Sequence, residues 1–218
     1  MIEVNEIFNS INGEVNPFGQ GILTTFLRLR GCNLKCSYCD TDNDKLLNKY
    51  SNLELQEVLI PYLRKTRVLA ITGGEPLLQK EELNSFLETL PRFWYDAIKI
   101  YIETNGTFDL NPTKQRVYVY YCMDYKLDNQ QPSKENLHYL DSGDVIKIPV
   151  KPSTLGRGIS LLHRLSWSYP KPMKVISLIN HLDWEKEEIQ QVVKLVGDQR
   201  FFNNVFVNLQ IHKQFGLQ

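Results

Sequence analysis

Gly31-Cys32-Asn33-Leu34-Lys35-Cys36-Ser37-Tyr38-Cys39-Asp40-Thr41 places three of the chain's four cysteines within eight residues, in a C-x3-C-x2-C spacing. Thiolates this close in one short loop can converge on a single metal centre, each offering a soft donor. A structural zinc site wants four ligands, so three leave one position open. The spacing therefore predicts an iron–sulfur cluster with one iron free to bind something else. A zinc site would need a fourth donor. Cys122 lies inside the apolar run Arg116–Met123 and reads as a packing residue. His138, His163, His181 and His212 show no metal-ligand spacing with the loop.

What precedes the loop sets the fold. Ile22 to Arg30 (ILTTFLRLR) is β-branched and aromatic, with Phe26, Arg28 and Arg30 on one face, and predicts a strand. The thiolates would then sit at its C-terminal end. Ser51-Asn52-Leu53-Glu54 has the pattern of a helix capping box, and Leu55, Val58, Leu59 and Tyr62 follow at helical spacing, so a helix is expected over 52–65. Arg67–Thr72 predicts a buried strand, and Glu81–Leu90 a helix with Leu83, Phe86, Leu87 and Leu90 inward.

Ala97–Thr104, Arg116–Met123, Asp144–Val150 and Met173–Ile179 read as further strands, with a weaker helical stretch at Ile159–Leu165. Asp183 reads as the N-cap of a last helix, with Glu185, Glu187 and Glu188 at its positive end and Gly197 at its close. Residues 1–21 show only an apolar start, Ile7-Phe8, then Asn12-Gly13-Glu14 and a Gly- and Pro-bearing loop. About six strands alternating with helices predict an α/β fold: an open, partial (β/α) barrel with a parallel sheet. No linker divides the chain, so a single domain over 1–218 is expected. Polar residues gather at the C-terminal strand ends, where such folds place their chemistry.

Composition excludes little but points one way. Apolar residues make up 42% and charged residues 23%, and the 25 basic side chains balance the 25 acidic ones. A zero formal charge implies no direct nucleic-acid partner. No apolar run approaches a membrane span and the N-terminus shows no export signal, so no membrane association and a cytoplasmic location are expected. Crowded cysteines fit a metal site in a reducing compartment better than a disulfide framework.

Gly73-Gly74-Glu75-Pro76, directly after a strand, is a second signal. Paired glycines let a ligand approach the backbone, and a carboxylate can accept hydrogen bonds from an ammonium group; a tight strand-to-helix turn is the plainer reading.

With the cysteine loop, Gly-Gly-Glu-Pro resembles the radical S-adenosylmethionine (SAM) superfamily, and Tyr38 matches the aromatic residue usual beside its last cysteine. The resemblance narrows. Glu6-Ile7-Phe8-Asn9-Ser10-Ile11-Asn12-Gly13-Glu14, then Phe26-Leu27-Arg28-Leu29-Arg30-Gly31-Cys32, is similar to the opening of the 7-carboxy-7-deazaguanine synthases. The likeness continues through Cys39-Asp40-Thr41, Ile71 to Pro76, Glu103-Thr104-Asn105-Gly106 and Leu209-Gln210-Ile211-His212-Lys213. Asn12 stands where that family usually has Gln, and Met123-Asp124-Tyr125-Lys126 where it often has Ser-Pro-Lys.

The resemblance implies a ring contraction on the way to 7-deazapurines such as queuosine. 6-Carboxy-5,6,7,8-tetrahydropterin becomes 7-carboxy-7-deazaguanine with loss of ammonia, after a SAM-derived radical removes hydrogen from C6. It implies a 4Fe–4S cluster on Cys32, Cys36 and Cys39, and SAM contacts from Tyr38, Asp40, Gly74, Glu75, Asp124, Tyr125 and Lys126. It implies Mg2+ on the Thr41 hydroxyl, and substrate contacts from Ile11, Asn12, Gly13, Glu14, Arg28, Thr72, His212 and Gln218. No protein side chain is expected as the catalytic group, the radical coming from SAM. A homodimer and an external reductant such as flavodoxin or ferredoxin are expected partners. Chemically, Arg28 can grip a pterin carboxylate in bidentate fashion and Glu14 can accept its N–H donors. The alternatives are a glycyl-radical-enzyme activating enzyme, with no need of Asn12, Glu14 and Arg28, and a non-catalytic Fe–S or zinc module.

Overall fold

The computed structural model describes residues 1–39, 41–110, 119–197, 205–214 and 216. The expected contacts Asp40 and Gln218, and the start of the expected strand at 116–118, lie outside the described residues. Strands β1 (Ile2–Ile11), β2 (Leu23–Leu29) and β3 (Asn48–Tyr50) are followed by helix α1 (Asn52–Thr66) and β4 (Val68–Gly73). Helices α2 (Lys80–Thr89) and α3 (Arg92–Ala97) lead to β5 (Lys99–Thr104), then β6 (Val119–Asp124) and α4 (Lys134–Tyr139). The remainder is β7 (Val145–Val150), α5 (Leu155–Ser168), β8 (Met173–Leu178), α6 (Lys186–Gly197), β9 (Val205–Leu209) and α7 (Ile211–Gln214).

All the described strands form one sheet in the order β3-β1-β2-β4-β5-β6-β7-β8-β9. From β2 to β9 every neighbouring pair is parallel, and the sheet does not close on itself. The open, partial β/α barrel expected from the sequence is therefore present, extended by β9 as a further parallel strand and by β1 and β3 as an antiparallel edge. Where β1 lies, the sequence shows only an apolar start, because a register shift between Val4 and Glu6 breaks the two-residue alternation that marks a strand. Its charges are spent on neighbours: Glu3 pairs with Arg30 and Lys49, and Glu6 with Arg28.

Alternation divides each strand between two layers. On the helix side, Leu27, Leu29, Leu69, Ile71, Ile100, Ile102, Tyr121, Met123, Ile146, Ile148, Ile176 and Leu178 join one large core with the inner faces of the helices. On the barrel side, Ala70, Tyr101, Cys122, Val145 and Val175 form a smaller apolar layer with Val15. Phe18 packs its edge on Tyr101, with centroids 5.9 Å apart. Cys122 is thus a packing residue, as expected, its thiol pushed well up by burial. Two residues further along several strands, the same face turns polar, and that change of layer builds the site.

Local chemistry fixes the helices. The Ser51–Glu54 capping box forms, and α1 ends at Arg67 in the left-handed region at φ 57°. The last long helix starts later than the sequence suggests. Asp183 belongs to a 3-10 turn, and α6 begins at Lys186, its entry braced by Glu188 Oε2 accepting from Glu185 N–H at 2.9 Å. No helix among the described residues is long and apolar enough to cross a membrane.

Candidate active site

The C-terminal end of β2 hands directly into the cysteine loop, and three fastenings hold the loop's entrance. Gly74 N–H donates to Leu29 O at 3.3 Å, and Glu75 N–H to Gly31 O at 2.8 Å. Asn105 Nδ2, just beyond β5, donates to Asn33 Oδ1 at 2.9 Å. The paired glycines make this approach possible: a Cβ on Gly74 would lie 2.0 Å from Gly31 O, and one on Gly73 would lie 2.1 Å from Leu29 O. Cys32, Cys36 and Cys39 all line one end of a cavity at the C-terminal strand ends, together with Tyr38, Thr41 and Gly74.

These residues fit a cluster. Leu34 N–H donates to Cys32 Sγ at 3.4 Å, and Asn43 Nδ2 to Cys39 Sγ at 3.7 Å, contacts that favour thiolate sulfur. Burial raises the Cys32 and Cys36 thiols, against the pull of the nearby Lys126. Among the described residues no three His, Cys, Asp or Glu side chains stand close enough to share a single metal ion. A cubane takes each thiolate on its own iron, so its ligands need only surround a common space.

Lysines flank the loop's aromatic residue. The ammoniums of Lys126 and Lys151 lie 5.6 and 5.5 Å from the Tyr38 ring centre, and burial pushes the Tyr38 hydroxyl up to about 12. Among the residues expected to meet SAM, Tyr38, Gly74, Asp124 and Lys126 line the cavity. Glu75 and Tyr125 do not. The Glu75 carboxylate is fully buried behind the turn, accepting from Leu77 N–H, Thr104 Oγ1 and Asn105 N–H at 3.1, 2.7 and 2.6 Å. It caps the 3-10 turn at Pro76–Gln79 and ties β4 to β5; burial raises it to about 7 although those three bonds pull it down. Tyr125 follows Asp124 with the opposite orientation and lines a separate recess with Leu127 and Gln131.

The other end of the cavity collects the residues expected to meet the substrate. Ile11, Asn12, Gly13, Glu14, Arg28, Thr72 and His212 all line it. Arg28 Nη1 donates to Glu6 Oε2 at 3.1 Å, and its guanidinium lies 5.1 Å above the Phe8 ring, which stacks on Phe26. Asn12 Nδ2 donates to the Tyr101 hydroxyl, and Asn12 Oδ1 accepts from Glu14 N–H at 2.9 Å, so the loop after β1 is anchored on the barrel floor. The C-terminal segment closes over that loop. Ile211 N–H donates to Gly13 O at 3.1 Å, Asn208 Oδ1 accepts from Val15 N–H at 2.8 Å, and Gln210 Nε2 donates to Glu14 Oε1 at 2.8 Å.

Among the lining residues not foreseen as contacts are Glu103, Lys147, Ser177 and Gln210. Glu103 Oε2 accepts from Thr72 Oγ1 at 2.8 Å. Lys147 carries the sharpest overlooked signal, a lone charge in the apolar run Val145-Ile146-Lys147-Ile148, and it is buried among carboxylates. Burial alone would raise the Asp124 carboxyl, yet Lys126 and Lys147 together hold it down at about 2.

A parallel partial barrel whose strand-end cavity carries three loop cysteines defines a radical SAM enzyme. The family model described as the radical SAM superfamily matches residues 27–117. The 7-carboxy-7-deazaguanine synthase of Clostridium acetobutylicum is 32% identical over 97% of this chain and 94% of its own. That of Thermoplasma acidophilum is 31% identical over 75% of this chain and 82% of its own. In fold, the chain is similar to the crystal structure of QueE from Escherichia coli, with a TM-score of 0.68 at 20% identity over 95% of this chain and 94% of the other. The chain belongs to the 7-carboxy-7-deazaguanine synthase family.

Proposed function

We propose that this protein is a radical SAM carbon–nitrogen lyase that converts 6-carboxy-5,6,7,8-tetrahydropterin to 7-carboxy-7-deazaguanine, with loss of ammonia, in 7-deazapurine biosynthesis of the queuosine type. The observation that carries this reading is one cavity lined both by the three cysteines and by Asn12, Glu14, Arg28, Thr72 and His212. Cys32, Cys36 and Cys39 would hold a 4Fe–4S cluster, which with SAM would supply the radical chemistry.

The chain's own residues then orient and select. Tyr38, Gly74, Asp124 and Lys126, which line the same cavity as the cysteines, are the residues set to hold SAM. Arg28, stacked on Phe8, presents a guanidinium to the pterin carboxylate. Glu14, fixed by Gln210 and Lys147, keeps unused lone pairs for the N–H donors of the pterin's guanine-like edge. Phe8, Phe26 and Ile11 give the flat ring an apolar wall. Thr41, which lines the cavity, would hold Mg2+ through its hydroxyl, and the ion would supply charge to orient substrate oxygens. Asp40 and Gln218 complete the proposed contacts with SAM and substrate.

The same reading takes the chain as a single domain, active as a homodimer in the cytoplasm, with an external reductant such as flavodoxin or ferredoxin and no nucleic-acid partner. Anaerobically reconstituted protein given the pterin, SAM and reductant should form 7-carboxy-7-deazaguanine, faster with Mg2+, and Cys36→Ala should retain neither iron nor turnover. SAM cleavage without any product from the pterin, or product from Cys36→Ala, would sink the assignment.

A further inference from the structure

Lys147 lies in β7 with its side chain 5% exposed and meets carboxylates from three other segments. Its ammonium is 2.8 Å from Glu14 in the loop after β1, 3.3 Å from Asp124 at the end of β6, and 3.8 Å from Glu103 on β5. An ammonium has three donors and no acceptor, so one lysine can serve all three partners. The only other cation paired within this group among the described residues is Lys126, 2.8 Å from Asp124 Oδ2. With every group ionised, three carboxylates face two ammoniums, and Lys147 is the one shared.

Of the other cationic or titratable groups lining the cavity, Arg28 pairs with Glu6, Lys213 donates to Asn180 and His212 packs against Gly13. Below and beside the group lie Tyr101 and Cys122, whose hydroxyl and thiol burial keeps neutral. Thr72 supports Glu103 and Gln210 supports Glu14, both through uncharged donors. Like charges gathered in a partly dry space do not all stay ionised without a counter-ion. Removing Lys147 would leave Glu14 and Glu103 with no cation among the contacts described, and a proton would enter the group.

We propose that Lys147 is the positioning residue of the substrate end: its ammonium keeps Glu14, Glu103 and Asp124 ionised and spaced, so that the cavity presents fixed acceptors to the N–H edge of a pterin. This rests on the synthase reading above and adds the residue that sets its acceptor chemistry. Burial pushes the Glu103 carboxyl up against the pull of Lys147, while at Glu14 the Lys147 ammonium and the Gln210 hydrogen bond together offset burial and draw the carboxyl down. Without Lys147 both carboxyls rise, and the proton is held at low pH and released at high pH.

The test is equilibrium binding of 6-carboxytetrahydropterin to the cluster-loaded protein, followed by isothermal titration calorimetry under anaerobic conditions at pH 6 and pH 8.5. Each variant is expressed as a ratio to wild type, which cancels titration of the ligand. Lys147→Met should bind about tenfold or more weaker at pH 6 and recover part of that loss at pH 8.5. A loss of equal size at both pH values, or no loss, overturns the proposal, since a merely structural lysine would give no pH-dependent ratio. Should Lys147→Met not fold, Lys147→Gln/Glu103→Gln, which removes one charge of each sign, is compared with Glu103→Gln. The double variant should bind more weakly, because Glu14 and Asp124 have still lost their shared ammonium; equal affinity overturns the proposal. Wild-type protein that binds no pterin at all would refute the synthase reading itself, and this proposal with it.

Discussion

Replacing Gly74 by alanine measures how tightly the turn after β4 is fastened to the cysteine loop. The added Cβ would lie 2.0 Å from Gly31 O, 2.5 Å from the Gly31 carbonyl carbon and 2.7 Å from Cys32 Cβ. Non-bonded carbons settle at about 3.5–4.0 Å, so the loop entrance would have to retreat by about an ångström. Two of those three atoms are backbone, and the hydrogen bonds from Gly74 and Glu75 resist the retreat, so no flexible side-chain end can absorb it. Overpacking costs about 1–3 kcal/mol, and the backbone clash puts Gly74→Ala near the upper figure. For a chain of this length each kcal/mol moves Tm by about 2–4 °C, giving a fall of about 6–12 °C. Scanning calorimetry of the cluster-free protein reads the fall, and the iron-to-protein ratio after reconstitution reads the displacement of Cys32. Gly156 in α5 has nothing within 4 Å of a built Cβ, so Gly156→Ala should leave stability unchanged or raise it by up to about 1 kcal/mol. A Gly74→Ala protein that melts within about 2 °C of wild type and takes up full iron would refute the reasoning.

Three further outcomes are expected. Arg28→Lys keeps the charge but loses the planar fork and the stacking on Phe8, so KM for the pterin should rise about tenfold to a hundredfold while SAM cleavage persists; an unchanged KM would place the pterin carboxylate elsewhere. Ser51→Ala removes the cap of α1, far from the cavity, and should lower stability by about 1 kcal/mol with turnover intact, read by denaturant melts and product assay. Glu75 binds its proton more tightly folded, at about 7, than at its ordinary value of 4.5. Its contribution to stability is therefore present below pH 4.5 and lost as pH rises toward 7. Glu75→Gln should flatten the fall in Tm between pH 5 and 7 relative to wild type, and an identical slope would contradict the assignment.

Much of the site was legible because its chemistry comes in short runs. The cysteine spacing, the paired glycines and the strand entering the loop are all local, and the parallel barrel follows from strands alternating with helices. What escaped was non-local or locally disguised. The bulge between Val4 and Glu6 hides β1 by breaking its alternation, and β9 is a short, half-exposed edge strand of only five residues. Glu75 has the right residue type for an ammonium contact, but its three donors are decided by where β5 ends. Lys147 reads as an oddity in an apolar strand until alternation is followed: it shares a face with Val145 and Pro149, one layer above the barrel floor, and its partners come from residues 14, 103 and 124.

The closure of the cavity by its C-terminal segment has a consequence for how the enzyme is made. The fastenings of the cysteine loop join Leu29 to Gly74, Gly31 to Glu75 and Asn33 to Asn105, so their partners have all been synthesised by residue 105. The substrate end needs Asn208, Gln210 and Ile211 to reach back to Val15, Glu14 and Gly13. At about 5–20 residues per second, roughly 5–20 s of translation separate the two events. The nascent chain thus holds the groups for the metal end while the pterin end is still missing its roof, and a chain ended before β9 would lack every one of those closing contacts.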